Sequence, residues 1–190
     1  MHTKEELYSN KIFFNAALPL VKVIANDVPS LKKQFAHVHA IIQVSAKDPD
    51  APGGKVGMHF VVNSDEWLVH LNKVDPNPHV ELEFKSVEAM NAFFKGKMSP
   101  ATLPKMKGVV THFGAFKAFL MTLLKMSSLL GATEAPKDEA TKELMVKCFF
   151  YLLSSGISQL NKMGHEDIHD WTSKSPDRVY AWAVNGHDEL

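Results

Sequence analysis

Apolar and polar residues alternate most clearly between positions 37 and 84. Val38, Ala40, Ile42 and Val44 alternate with His37, His39, Ile41, Gln43 and Ser45, and Met58, Phe60 and Val62 alternate with His59, Val61 and Asn63. A period of two marks a half-buried strand. A third strand is expected over 67–72, and a fourth where Val80, Leu82 and Phe84 alternate with His79, Glu81 and Glu83. Turn residues at 48–54, 63–66 and 75–78 separate them, which predicts hairpins and a mainly antiparallel sheet with one apolar face. Residues 109–113 read as a short fifth strand.

Helical spacing frames this sheet. Thr3 and Glu6 fit a capping box, and Leu7, Phe13, Phe14, Ala17 and Leu18 follow at helical intervals. A second piece runs to about Ile24, and Ser30 is placed to cap a short turn from Leu31 to Phe35. Ser86 is placed to cap a helix with the stripe Val87, Met90, Phe93 and Phe94, ended by Gly96. Phe116, Phe119, Leu120, Leu123, Leu124 and Met126 mark a very apolar helix that stops at Gly131. A polar stretch with Pro136 leads to a long helix over about 138–163, and 179–184 read as a terminal strand. The long helix is apolar almost all round between Leu144 and Leu153, so more than one side must be covered. Packing on the main domain, a lid over a cavity and a contact in a homodimer all meet that need. The expected architecture is α+β: a domain over 1–131 with a five-stranded, mainly antiparallel sheet covered on one face by helices. Residues 132–190 form a helical C-terminal extension packed on the same domain.

A chain of 190 residues buries a core without disulfides or metal as staples. Lysine plus arginine and aspartate plus glutamate both total 21, so no basic surplus exists for nucleic acid. The single cysteine, Cys148, excludes an internal disulfide framework and fits a reducing compartment. The first residues are mixed in charge, and Lys11, Asn15 and Pro19 interrupt the apolar stretch behind them, so neither a signal peptide nor an integral membrane segment is expected. The closing His187-Asp188-Glu189-Leu190 spells a lumenal retention address, which is expected to be a coincidence where no signal peptide is expected. A cytoplasmic protein is expected. Nine Met and twelve Phe are a heavy supply of the soft, bulky side chains that line adaptable cavities.

The segment Asn91-Ala92-Phe93-Phe94-Lys95-Gly96-Lys97-Met98-Ser99-Pro100 resembles the "GK(L/M)xP" signature of the sterol carrier protein type 2 domain family. Pro52-Gly53-Gly54-Lys55 before the second strand, the run from Asp75-Pro76 to Phe84, and the apolar helix from Gly114 to Leu130 are similar to further pieces of that family in the same order. The resemblance covers about residues 20–130 and departs from the family between Lys107 and Phe113. It implies a carrier or accessory module, not a catalyst, that holds a sterol, fatty acid, acyl-CoA or other lipid in a tunnel between sheet and helices. The walls would come from Phe60, Val62, Leu82, Phe84, Met90, Phe93, Phe94, Leu103, Phe113, Phe116, Phe119, Leu120 and Leu123. Core and cavity wall look alike in sequence, so ordinary packing is the competing account of each of them. Lys95, Lys97, Lys105 and Lys107 cluster near the expected mouth.

Two other chemistries were open to these residues. His37, His39, His59, His79 and His112, with Glu81 and Glu83, are expected on the outward side of the sheet, where zinc or copper would find ligands. Alternation alone already predicts polar residues there, so no metal site, catalytic residue or cofactor is assigned. His165, Glu166, Asp167, His169 and Asp170 form a polar cluster that reads as a solvated helix start. An enzyme using either group, and a protein-interaction module with a filled cavity, are the alternatives to lipid binding.

Overall fold

The period-two stretch around Ile42 and Val44 becomes the centre of a five-stranded mixed sheet. The computed structural model describes residues 13–94, 97–130 and 136–162. One π-helical turn, Phe13–Ala17, precedes helices α1 (Leu20–Asp27) and α2 (Pro29–Phe35). Strands β1 (His39–Lys47), β2 (Lys55–Asn63), β3 (Glu66–His70) and β4 (Val80–Phe84) follow, then α3 (Val87–Phe94), β5 (Lys105–Lys107), α4 (Phe113–Leu130) and α5 (Glu139–Lys162). Ser86 Oγ accepts from Ala89 N at 3.1 Å and Asp138 Oδ1 from Thr141 N at 2.8 Å, the N-terminal caps of α3 and α5. Helix α2 opens instead on Pro29, whose fixed φ suits the first helical position, so Ser30 lies inside it.

The strand order is β3-β2-β1-β4-β5. Three of the four pairings are antiparallel, while β1 and β4 run parallel. The turn expected at 75–78 is therefore no hairpin: residues 71–79 carry the chain from the β3 edge across to the far side of β1. The fifth strand is also displaced from 109–113 to Lys105–Lys107. Gly108 explains the shift. Its φ of +73° turns the chain out of β5, and a Cβ there would stand 1.8 Å from the His79 carbonyl oxygen, so only glycine fits. His112 N then donates to Gly108 O at 2.9 Å, a turn that leads into α4.

One face of the sheet, with Ile42, Val44, Met58, Phe60, Val80 and Phe84 fully buried, packs under the helices. Aromatic contacts tie the layers together: Phe35 to Trp67 at 4.6 Å, Trp67 to Phe60 at 5.7 Å and Phe60 to Phe119 of α4 at 6.0 Å. Helix α5 lies against the π-helical turn and α1 through Leu144, Cys148 and Tyr151, leaving Val146, Phe149 and Phe150 exposed. Among the described residues, no helix is long and apolar enough to cross a membrane. The expected terminal strand, the 165–170 cluster and the last four residues lie outside the described residues.

Candidate functional site

The residues expected to wall a cavity fall into three groups. Phe60, Val62, Leu82, Phe84, Met90 and Phe119 are buried in the layer between sheet and helices. Phe93, Phe94, Phe116 and Leu123 are half-buried and packed against that layer, with Phe84 at 5.4 Å from Phe93 and 5.6 Å from Phe94. Leu103, Phe113 and Leu120 are exposed. Leu103 and Phe113 mark where the layer is open, while Leu120 lies with exposed Met121 and Leu124 on α4. Met106 pairs with Leu82 and so shares the helix-facing side of the sheet, yet it is 53% exposed. Leu103 at 52% and Phe113 at 61% flank it in the chain. The apolar face of the sheet thus runs past the last covering helix to β5 and meets solvent there.

The outward face is polar and, against expectation, largely buried. Register aligns His70, His59, Gln43, Glu81 and Lys107 in one row across all five strands. Residues 71–79 cross above this row. His59 Nδ1 donates to the Lys73 carbonyl at 2.9 Å, and Asp75 N donates to Gln43 Oε1 at 2.7 Å. Under this strap Glu81 accepts from Ser45 Oγ at 2.6 Å, Gln43 Nε2 at 2.9 Å, Lys107 Nζ at 3.0 Å and Lys55 Nζ at 3.3 Å. Glu83 accepts from Lys107 Nζ at 2.8 Å and from Lys55 Nζ. Lys107, expected at a cavity mouth, is therefore bound to carboxylates on the opposite face. A cleft of about 740 Å³ adjoins the network, with Asp48, Lys55, Lys73, Asp75, Glu81 and Lys107 among its walls.

Burial by itself pushes the Glu81 carboxyl up, but the hydrogen bonds from Ser45, Gln43 and Lys107 and the Lys55 charge overcome it and hold it at about 2. Glu83 is lowered in the same way by Lys107 and Lys55 against its own burial. So acidic a carboxyl is a very weak base and cannot draw a proton from Ser45, which makes the pair a tether, not a nucleophile and its base. His59 and His70 stack at 4.6 Å, and burial followed by the His59 charge lowers the His70 pKa. His79 Nδ1 accepts from Ile41 N at 2.9 Å, so that ring nitrogen is committed to the backbone. Among the described residues, no three His, Cys, Asp or Glu side chains are grouped to hold a metal ion.

Apolar periodicity alone does not assign two features of the sequence. Asn91 interrupts the apolar stripe of α3, a polar residue where periodicity demands an apolar one. In the 165–170 cluster, His165, Glu166 and His169 have the His-Glu-x-x-His spacing that, on a helix, offers two imidazoles and a general base to zinc. Reading that cluster only as a solvated helix start leaves the spacing out, and these residues lie outside the described ones. Comparison with protein-family models, with curated proteins and with solved structures finds no match.

Proposed function

We propose that the chain binds a lipid or long apolar ligand of the sterol, fatty acid or acyl-CoA class non-covalently between the helix-covered face of the sheet and helices α3 and α4, for transport or presentation. The observation that carries this reading is the open apolar edge at β5, where Met106 faces the helix layer and is half in solvent. Large exposed apolar side chains beside a buried apolar layer give a ligand a way in. The order of helix, strands, Lys97-Met98-Ser99-Pro100 loop and apolar helix supports it through the likeness to the sterol carrier family. Burying about ten methylenes contributes roughly 8 kcal/mol before the costs of association.

Native mass spectrometry with organic extraction, and displacement of an uncharged naphthylamine dye, test the proposal. A stoichiometric lipid adduct is expected. Met106→Asp, which puts a charge at the open edge, is expected to weaken dye binding at least about tenfold without moving the urea midpoint. A bare mass together with no dye uptake refutes the reading.

A second reading has one observation of its own, the His165-Glu166-Asp167-Ile168-His169 spacing, which favours zinc-dependent hydrolysis. Stoichiometric zinc by metal analysis supports it, and metal-free protein removes it. The exposed Val146, Phe149 and Phe150 of α5 suit pairing of two chains, which a concentration series in sedimentation velocity decides.

A further inference from the structure

Helix α3 places Val87, Met90, Asn91 and Phe94 on one stripe by their spacing of three and four, and it packs on β1 and β4. Three of these residues are apolar. The fourth is an asparagine only 9% exposed. Its Nδ2 is, among the described residues, the buried side-chain polar atom that meets no hydrogen-bond partner. Elsewhere the fold satisfies such groups: Gln43 Nε2 and Ser45 Oγ both donate to Glu81 Oε1, Asn72 Nδ2 donates to Asn15 Oδ1 at 2.7 Å, and Thr122 Oγ1 donates to Ala118 O at 2.8 Å. A buried donor left open costs about 1–3 kcal/mol, and in a native protein it calls for a partner.

We propose that Asn91 Nδ2 is the polar contact for the apolar ligand, donating a hydrogen bond to an uncharged oxygen: a sterol hydroxyl or an ester or thioester carbonyl. This rests on the lipid-binding reading above and narrows it. The described side chains around α3 favour an uncharged head group at that depth. Its stripe is otherwise apolar, Phe84 of β4 meets Phe93 and Phe94, and the carboxylates of β4, Glu81 and Glu83, sit on the other face of the sheet with Lys55 and Lys107. Among the described residues, a fatty-acid carboxylate beside Asn91 would be set against the apolar stripe of α3, where burying a charge is costly. A neutral carbonyl satisfies the amide and adds no charge.

The test uses the full-length protein, stripped of lipid, and two probes: methyl palmitate and the alkane of matched length, each displacing the uncharged naphthylamine dye. Wild type is expected to favour the ester about five- to tenfold, the value of one neutral hydrogen bond plus relief of the open donor. Asn91→Leu, close in shape, is expected to abolish that preference by weakening the ester alone. Its ligand-free melting temperature is expected to stay level or rise, because an unpaired buried donor is removed. In nitrogen-labelled wild type, the Asn91 side-chain amide resonance is expected to move with the ester and not with the alkane, a measurement that needs no variant. An unchanged ester preference in Asn91→Leu, or an unmoved amide resonance in an ester-loaded protein, overturns the proposal and leaves lipid binding standing. Failure of wild type to bind dye, ester or alkane overturns both.

Discussion

Replacing Glu81 by glutamine keeps the side chain's shape and removes its charge from beneath the strap. In the native protein four donors converge on this carboxylate, which is 4% exposed. They lower its pKa from the ordinary 4.5 to about 2. At about 1.4 kcal/mol for each pH unit, that depression is worth roughly 3 kcal/mol of folding stability. The lysine partners are 29% and 42% exposed, so water screens part of the attraction, and about 2 kcal/mol is the expected loss for Glu81→Gln at pH 7. The sign follows from the direction of the shift. A carboxyl lowered on folding stabilises the protein above its unfolded pKa, and that contribution fades as pH falls from 4.5 through about 2. The difference between wild type and Glu81→Gln in urea unfolding should therefore be largest at neutral pH and shrink toward zero near pH 2. Two titrations, at pH 7 and at about pH 2.5, are enough to see it. A penalty equal at both pH values would show that the charge of Glu81 contributes nothing, and the reasoning would fail.

Gly108→Ala forces a side chain onto the His79 carbonyl oxygen at a positive φ, and should lower stability by more than about 2 kcal/mol in urea titration. A loss below roughly 0.5 kcal/mol would mean that β5 is not docked as described. The Cys148 thiol is pushed up to about 11, first by burial and then by the Asp27 charge, so it should resist thiol reagents at pH 8 until the protein unfolds. Rapid stoichiometric labelling of the native protein would contradict that burial.

The strands that alternate strictly were legible because their periodicity is the physical cause of their burial. In β1 and β2, Ile42, Val44, Met58 and Phe60 lie on the side that the pattern assigns. β5 was not legible. Lys105-Met106-Lys107 is too short to show a period, while the apolar run after it attracted the assignment until the chain turned at Gly108. Alternation is also silent about which strand lies beside which. The 75–78 turn signals fit a hairpin, but tertiary pairing with β1 sends the chain across the sheet. That crossing is why Gln43, Ser45, His59 and Glu81 are buried, although a polar strand face reads as solvated. Of the expected ligand residues, the pattern places Phe60, Val62, Leu82, Phe84, Met90 and Phe119 in the buried layer and gives no means to separate wall from core. The one residue that stands apart chemically, Asn91, is visible as a break in the α3 stripe.

The buried charges of β4 also act on structures that the chain does not adopt. Strand pairing repeats every two residues, so sliding β4 by one position against β1 would keep most backbone bonds and turn every side chain over. Glu81 and Glu83 would then enter the layer of Phe60 and Phe119, away from Lys55 and Lys107, while Leu82 and Phe84 would turn outward. Two unpaired carboxylates in an apolar layer cost several kcal/mol each, a penalty the correct register escapes entirely. For a strand of five residues reached by a crossing over 71–79, this penalty adds to the pairing with β5 and the His79–Ile41 bonds in discriminating between one register and its neighbours. The network is in that sense a proofreading device: it rejects the near-miss alignments that backbone hydrogen bonds alone would accept.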